Sequence, residues 1–153
     1  MIFLLLLIPA LFIGSGQVGL LSGKRPSDLG IIEGRLKPPP SSPNCVSSQA
    51  KLYPGHEKAF IEPLIIRDQN REATFEKLKK LLDQKPEAKL VTSTSNYLYY
   101  EFQSSLMKYI DDVEFYLPEN KEVMQIEMRS ASRIGYGDLG KNRNRLEAIR
   151  AQL

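Results

Sequence analysis

The sequence predicts an α+β domain of two layers, in which two helices pack on an antiparallel sheet of about four to five strands. Apolar residues recur at helical spacing between Phe75 and Leu82, whereas later segments alternate apolar and polar residues as strands do. The turns between those later strands are short, which favours antiparallel pairing. With 153 residues, of which 42% are hydrophobic and 25% charged, the chain has the composition of one globular domain with a core.

Each element has its own local signal. Residues 59–66 predict a first strand, and Pro63 marks an edge or an end of it. Asn70 is a favourable N-cap for the first helix, which Pro86 stops. Further strands are predicted at 90–93, 97–104, 110–117 and 123–132. A last helix follows a glycine-rich turn and carries leucine and isoleucine on one side.

Alternation also assigns side chains to the two faces of the sheet. In the strand 110–117, Val113 and Phe115 share one face, and Asp112 and Glu114 share the other. Asp111 lies on the face opposite to those two carboxylates. We therefore expect an apolar face under the helices and an outward polar face.

The N-terminal residues 1–23 are uncharged and predict a signal peptide or a membrane anchor. Gly14 and Gly16 fit the small positions of a signal-peptidase site, which would export the domain. An uncleaved anchor followed by Lys24 and Arg25 would instead hold the domain on the cytoplasmic side. Both alternatives stay open, with a membrane-associated or exported protein on the periplasmic side favoured.

Residues 24–48 predict an extended linker, because prolines are concentrated at 38–40 and Pro43. The small residues just before it, at 21–23, predict a flexible joint. Residues 49–153 then form the single α+β domain.

The composition excludes several kinds of site. Cys45 is the one cysteine and His56 the one histidine, so neither an internal disulfide nor a zinc site rich in Cys or His can form. We predict no metal and no cofactor. A formal net charge of +3 gives no bulk electrostatic case for nucleic acid, although the C-terminal end is locally basic.

The leading candidate site is the run from a predicted strand through three glycines into the last helix. A strand, a glycine turn and a helix N-terminus can together bind a carboxylate or a phosphate. Arg129 and Arg133 share a strand face and would clamp the anion. The candidate ligand-binding residues are Arg129, Ser130, Ser132, Arg133, Gly135, Tyr136, Gly137, Asp138, Asn142 and Arg143. The structural alternative, which is favoured, pairs these arginines with Asp111, Asp112 or Glu114 on a neighbouring strand.

Secondary candidates are Cys45, Asp111, Asp112 and Glu114. The carboxylates could form a cation or acid/base cluster, against which stands a role in salt bridges. Cys45 with His56 could form a nucleophile–base pair, although a lone cysteine is more often a small buried hydrophobe. The tyrosines could line a cavity, but packing is the favoured interpretation.

Several blocks of the sequence resemble the domain-of-unknown-function 1499 family from about Leu36 to the C-terminus. The blocks are SPNCVSS at 42–48, YEF at 100–102, DDVEF at 111–115, RSASRIGY at 129–136 and DLGKNR at 138–143. The resemblance implies a small bacterial protein with an N-terminal membrane segment, and no established activity. A second cysteine often precedes the first block in the family; Pro39 stands there, which argues against a required disulfide or dithiol.

Two functions remain open. The preferred hypothesis is a membrane-tethered or exported domain that binds a small anionic ligand or a protein partner without catalysis. The alternative is an enzyme that acts on a small anionic substrate held by Arg129 and Arg133, with Asp112 or Glu114 as acid/base. Membrane contact is expected through the N-terminal segment, and nucleic-acid binding is not expected.

Overall fold

The computed structural model describes residues 21–153, which form an α+β domain of two layers. Its antiparallel sheet has six strands. They are β1 (Cys45–Ser47), β2 (Leu64–Ile65), β3 (Ala88–Ser93), β4 (Tyr97–Gln103), β5 (Ile110–Tyr116) and β6 (Gln125–Ser132). The order across the sheet is β1-β6-β5-β4-β3, and β2 pairs with the first residues of β6.

Two helices lie on one face of this sheet, α1 (Arg71–Asp83) and α2 (Lys141–Arg150). The predicted cap of α1 is confirmed, because the side chain of Asn70 accepts a hydrogen bond from the backbone N–H of Ala73 at 3.0 Å. Two single-turn 3₁₀ helices, Ala50–Leu52 and Glu57–Ala59, connect β1 to β2.

The main core lies between the helices and this helix face of the sheet. The sheet contributes side chains that alternate along three strands, among them Tyr100, Phe102, Val113, Phe115 and Met128, all at most 3% exposed. The helices contribute Phe75, Leu78, Leu82, Leu146 and Ile149. Each fully buried side chain of this size stabilises the fold by roughly 1.5–3 kcal/mol relative to an exposed one.

The opposite face, called the outer face, carries Tyr97, Tyr99, Glu101, Asp112, Glu114 and Arg129, and it is buried as well. Residues 21–37, called the cover segment, lie across it. Leu36 is buried against Tyr97, Tyr99 and Tyr116, and Leu29 and Ile31 pack around this second, smaller cluster. The alternation of the strands predicts that this polar face points outward, and the structure shows that the cover segment buries it.

Part of the predicted linker thus packs within the domain. β1 lies inside residues 24–48, and Leu36 is as buried as the main core. Local composition missed β1 because its pairing partner, residues 129–131 of β6, is far along the chain. Of the predicted strand 59–66, only Leu64–Ile65 forms a strand, β2, which pairs with β6.

The predicted signal or anchor segment 1–23 lies outside the described residues except for its last three. Within residues 21–153 there is no helix whose length and apolar character would suffice to cross a membrane.

Candidate functional site

Arg133, just after β6, is the centre of a buried ionic network on the outer face. Its Nε and Nη2 donate hydrogen bonds to the carboxylate of Asp112 at 2.7–3.1 Å, and Nη2 also bonds the Glu101 carboxylate and the Tyr99 hydroxyl. Glu101 and Asp112 are direct cross-strand neighbours, so their like charges would repel without this cation. The Arg133 side chain is only 4% exposed.

Arg129 makes the second pair of the network. Its Nη1 lies 3.1 Å from Oε2 of Glu114, the residue opposite it in β5. The other carboxylate oxygen of Glu114 accepts hydrogen bonds from the Tyr97 hydroxyl at 2.8 Å and from the backbone N–H of Gly30 at 3.1 Å. Burial and the neighbouring carboxylate raise the pKa of Tyr97, so its hydroxyl stays a donor at ordinary pH. The Nε of Arg129 has no partner among residues 21–153.

The cover segment completes the network from outside. The Nε of Arg25 lies 2.6 Å from a carboxylate oxygen of Glu101. This hydrogen bond, together with those from Arg133 and against the opposing effect of burial, lowers the pKa of Glu101 to about 2. These ion pairs therefore attach the cover segment to the sheet. The arginines and carboxylates pair with one another and not with an external ligand.

The glycine-rich turn supplies its own anion to the helix that follows. The carboxylate of Asp138 accepts hydrogen bonds from the backbone N–H groups of Gly140 and Asn142 at 3.0 and 2.8 Å. Although burial alone would raise the pKa of Asp138, these hydrogen bonds lower it. The N-terminus of α2, which could have bound an external anion, thus receives the carboxylate of a side chain of the chain itself.

Asn142 is fully buried and joins this turn to β6 and β1. Its Oδ1 accepts hydrogen bonds from the Ser130 hydroxyl at 2.6 Å and from Arg145 at 2.8 Å. Its amide nitrogen donates to the Ser132 hydroxyl at 2.9 Å and to the Asn44 carbonyl at 3.1 Å. The candidate residues Ser130, Ser132 and Asn142 therefore lie together, with their hydrogen bonds directed at one another.

The middle of the glycine-rich turn faces solvent. Gly137 has no neighbouring atom within 4 Å of the position of a Cβ. Tyr136 is 77% exposed and Leu139 is 95% exposed. At the base of the turn, the Asn44 amide donates to the Gly135 carbonyl at 2.7 Å and fixes the turn to the chain before β1.

Asp111 lies on the helix face, away from the other two acidic candidates, as alternation predicts. It pairs with Arg145 of α2, whose guanidinium also lies 5.0 Å from the centre of the Phe102 ring. Arg143, another candidate, donates a hydrogen bond from its guanidinium to the Phe60 carbonyl at 2.7 Å, in the segment between β1 and β2. In the part of the chain that the structure describes, no three His, Cys, Asp or Glu side chains are grouped to hold a metal ion.

Cys45 and His56 are not joined by a hydrogen bond within the described residues. Cys45 is buried in β1, where its thiol lies 3.7 Å from the Val46 carbonyl. Burial raises the pKa of this thiol, so it stays protonated and poorly nucleophilic. His56 precedes the second 3₁₀ helix and bonds the Tyr53 carbonyl through its backbone N–H.

A groove of about 980 Å³ opens on the helix face between the end of α1 and α2. Its floor is apolar and includes Phe102, Ile110 and Ile149. Its lining also includes the lysines Lys85, Lys89, Lys108 and Lys141, Arg145, and the carboxylates Glu87 and Glu101, the last of which lies directly opposite Lys89 in the sheet. None of these four lysines belongs to an ion pair among residues 21–153.

The groove can therefore attract a negative charge and offer an apolar surface beside it. The locally basic C-terminal end pointed to Lys141 and Arg145, but nothing in the sequence pattern singled out Lys85, Lys89 or Lys108. These three lie on separate loops and strands, and only the fold gathers them around one opening.

Comparison with known protein families gives a match. The model of a family described as "Protein of unknown function (DUF1499)" matches residues 35–153. No curated protein and no solved structure matches the chain.

Proposed function

We propose that the chain, which belongs to the DUF1499 family, is a membrane-tethered or exported domain that binds an anionic ligand in the lysine-lined groove and performs no catalysis. One observation carries the proposal. The arginines of the outer face are used inside the domain, whereas four lysines around the open groove have no anionic partner among the described residues.

The two kinds of cation differ in availability. Arg129 and Arg133 are each 4% exposed and bonded to buried carboxylates, so a ligand could reach them only after the cover segment had left. Lys89 and Lys141 are exposed, and Lys85 and Lys108 are half-buried. Their ammonium groups are flexible point charges suited to a phosphate or carboxylate that arrives from solvent.

The shape of the groove narrows the class of ligand. An apolar floor with cationic walls fits a molecule that has an acidic group and an apolar part. The groove is open to solvent, and the acid/base candidates Asp112 and Glu114 lie on the opposite face of the sheet. This separation supports binding over the alternative of an enzyme that uses those two carboxylates.

The tether rests on the uncharged, largely aliphatic residues 1–23 and on the cations Lys24 and Arg25 after them. Fractionation of the full chain tests this part of the proposal, combined with mass spectrometry of its N-terminus. We expect membrane retention with residues 1–23 intact or export with these residues removed. A soluble cytoplasmic protein with an intact N-terminus would contradict the tether.

Binding is tested by NMR titration of the full chain in detergent micelles with inorganic pyrophosphate as an acidic probe. We expect the amide signals of the groove residues to shift, and the affinity to fall about tenfold in Lys108→Gln/Lys141→Gln, because two charges are lost. Lys58→Gln/Lys121→Gln removes the same charge outside the groove and should leave the affinity nearly unchanged. Equal losses in both double variants would contradict a specific groove.

A further inference from the structure

We infer that one end of the sheet, where β4 and β6 finish and β5 begins, rests against an anionic membrane surface, with the glycine-rich turn inserted into the lipid headgroup layer. This end of the sheet, called the entry edge, comprises residues 21–24, the loop 104–109 and the loop 133–140. The inference rests on the proposed membrane tether and adds to it the side of the domain that faces the lipid.

The cover segment is fixed to the entry edge where it meets residues 1–20. A Cβ on Gly23 would lie 2.9 Å from Cβ of Arg133 and 3.0 Å from Cγ2 of Ile134, so only a glycine permits this approach. Gly23 also has a φ of +69°. Next to it, the Ser22 hydroxyl lies 3.3 Å from the Lys108 carbonyl. The expected flexible joint is therefore packed between the two loops of this edge.

Exposed apolar side chains lie on the same edge. Tyr136 and Leu139 project from the loop that begins beside Gly23, and they are among the most exposed large apolar residues of the described chain. Tyrosine is enriched at the membrane interface, where an aromatic ring with a polar tip is stable at headgroup depth. Hydrogen bonds hold both ends of the loop, so the two side chains are presented by a formed turn.

Three lysines lie on the entry edge or directly after it. Lys24 belongs to the cover segment, Lys108 lies in the loop 104–109, and Lys141 follows the glycine-rich turn directly. The carboxylate of this turn, Asp138, is engaged by the backbone of α2. Lysines near a surface of anionic lipid each contribute about 1 kcal/mol of attraction.

The lipid surface is favoured over a protein partner because of where the chain enters. The uncharged residues 1–20 are joined to Leu21, so the chain continues from this edge into the apolar sequence. The lysine-lined groove shares Lys108 with the edge and includes Lys141, which directly follows it, so the groove would open next to the headgroup layer. A membrane surface would therefore contact the exposed loop 133–140, the lysines beside it and the tether together.

The absence of tryptophan from the chain permits a clean test. Tyr136→Trp in the full chain gives a single reporter at the entry edge. Ile65→Trp gives a matched control, because Ile65 is 56% exposed and pairs with Gln125 at the other end of β6. Gln125 lies about 23 Å along β6 from Ser132, the last residue before the entry edge. Each variant is reconstituted in vesicles of phosphatidylcholine and phosphatidylglycerol, and its fluorescence is quenched with lipids brominated on the acyl chain.

The inference predicts a blue-shifted emission and strong lipid quenching for the reporter at 136, with neither effect at 65. It also predicts weaker quenching at 136 in vesicles of phosphatidylcholine alone, because their surface carries no net negative charge to attract the lysines. A chain that floats with the vesicles while its reporter at 136 stays in water, or is quenched no more than that at 65, overturns the inference but keeps the tether. A chain that does not float overturns both.

Discussion

The two faces of the sheet are both buried, but by different means. The helix face is covered by α1 and α2, and its contacts are mainly apolar. The outer face is covered by the extended residues 21–37 and is held by paired charges and tyrosine hydroxyls. The adjacent residues Asp111 and Asp112 display the difference, since each pairs with an arginine on a different face.

This difference shows what each cover requires. A helix brings a wide apolar stripe and satisfies its own backbone groups, so it can cover a face of aromatic and aliphatic side chains. An extended segment leaves backbone N–H groups unpaired, and buried carboxylates can accept from them, as Glu114 does from Gly30. The polar side chains of the outer face are therefore suited to an extended cover segment.

The largest expected effect comes from breaking the network at its centre. Arg133→Met should destabilise the domain by about 3–5 kcal/mol, because it leaves Asp112 buried without its cation and Glu101 with Arg25 alone. Arg145→Met should cost less, about 1–3 kcal/mol, because that side chain is 18% exposed and pairs with one carboxylate. Urea denaturation of the full chain in micelles measures both changes.

A rescue variant gives the control for this prediction. Adding Glu101→Gln and Asp112→Asn to Arg133→Met removes the uncompensated charges and should recover part of the lost stability. No recovery, or an equal loss in Arg133→Met and Arg145→Met, would contradict the distinction between the two faces.

Detaching the cover segment should have the next largest effect. In Gly23→Ala the new Cβ would overlap Arg133 and Ile134, and alanine is strained at this positive φ. We expect a loss of about 1–3 kcal/mol, with faster proteolysis within residues 21–37 than in the rest of the domain. Gly137→Ala is the control, because no atom lies within 4 Å and φ is not positive; the same proteolysis rate in both variants would refute the prediction.

A smaller effect, on stability at acidic pH, is expected from Glu101 of the outer face. The pKa of Glu101 is lowered to about 2 from 4.5 in the folded state, so this carboxylate stabilises the fold above pH 4.5, and the stabilisation is lost as the pH falls toward 2. Glu101→Gln should make the stability less dependent on pH in this window. An unchanged acid profile, measured by denaturation between pH 2 and pH 7, would mean that Glu101 is not held ionised by Arg25 and Arg133.

The smallest effect is expected at the exposed turn. Leu139→Ser should change the free energy of unfolding by less than about 0.5 kcal/mol, since the side chain is 95% exposed. Leu146→Ser, in the same stretch of chain but fully buried, should cost several times more. A large loss in Leu139→Ser, measured by thermal unfolding, would show that the turn packs against the domain.

The regular elements could be predicted because their signals are local. The two-layer α+β fold is confirmed, as are the cap at Asn70 and the alternation that separates Asp111 from Asp112 and Glu114. The sheet has six strands because β1 and β2, with three and two residues, are defined by their pairing with β6. The three residues of β1 carry too little pattern to be recognised from the sequence, whereas β2 lies within the predicted strand 59–66.

The candidate site could be predicted only in part. The sequence brings Ser130, Ser132 and Asn142 close together because they flank one turn, and it favours the pairing of Arg129 and Arg133 with carboxylates of a neighbouring strand. It does not reveal that Asp138 caps α2, nor that separate lysines surround one groove. Binding of an anion at either place remains a prediction.

The sequence by itself determined the periodicity of each element and therefore which side chains share a face, because both depend on backbone geometry over a few residues. The tertiary structure decided what covers each face, and so which charges are paired inside and which lysines have no ion pair among the described residues. That choice depends on contacts between distant segments, such as Gly30 with Glu114 and Arg25 with Glu101. Their energy comes from burial and charge pairing, which no local pattern encodes.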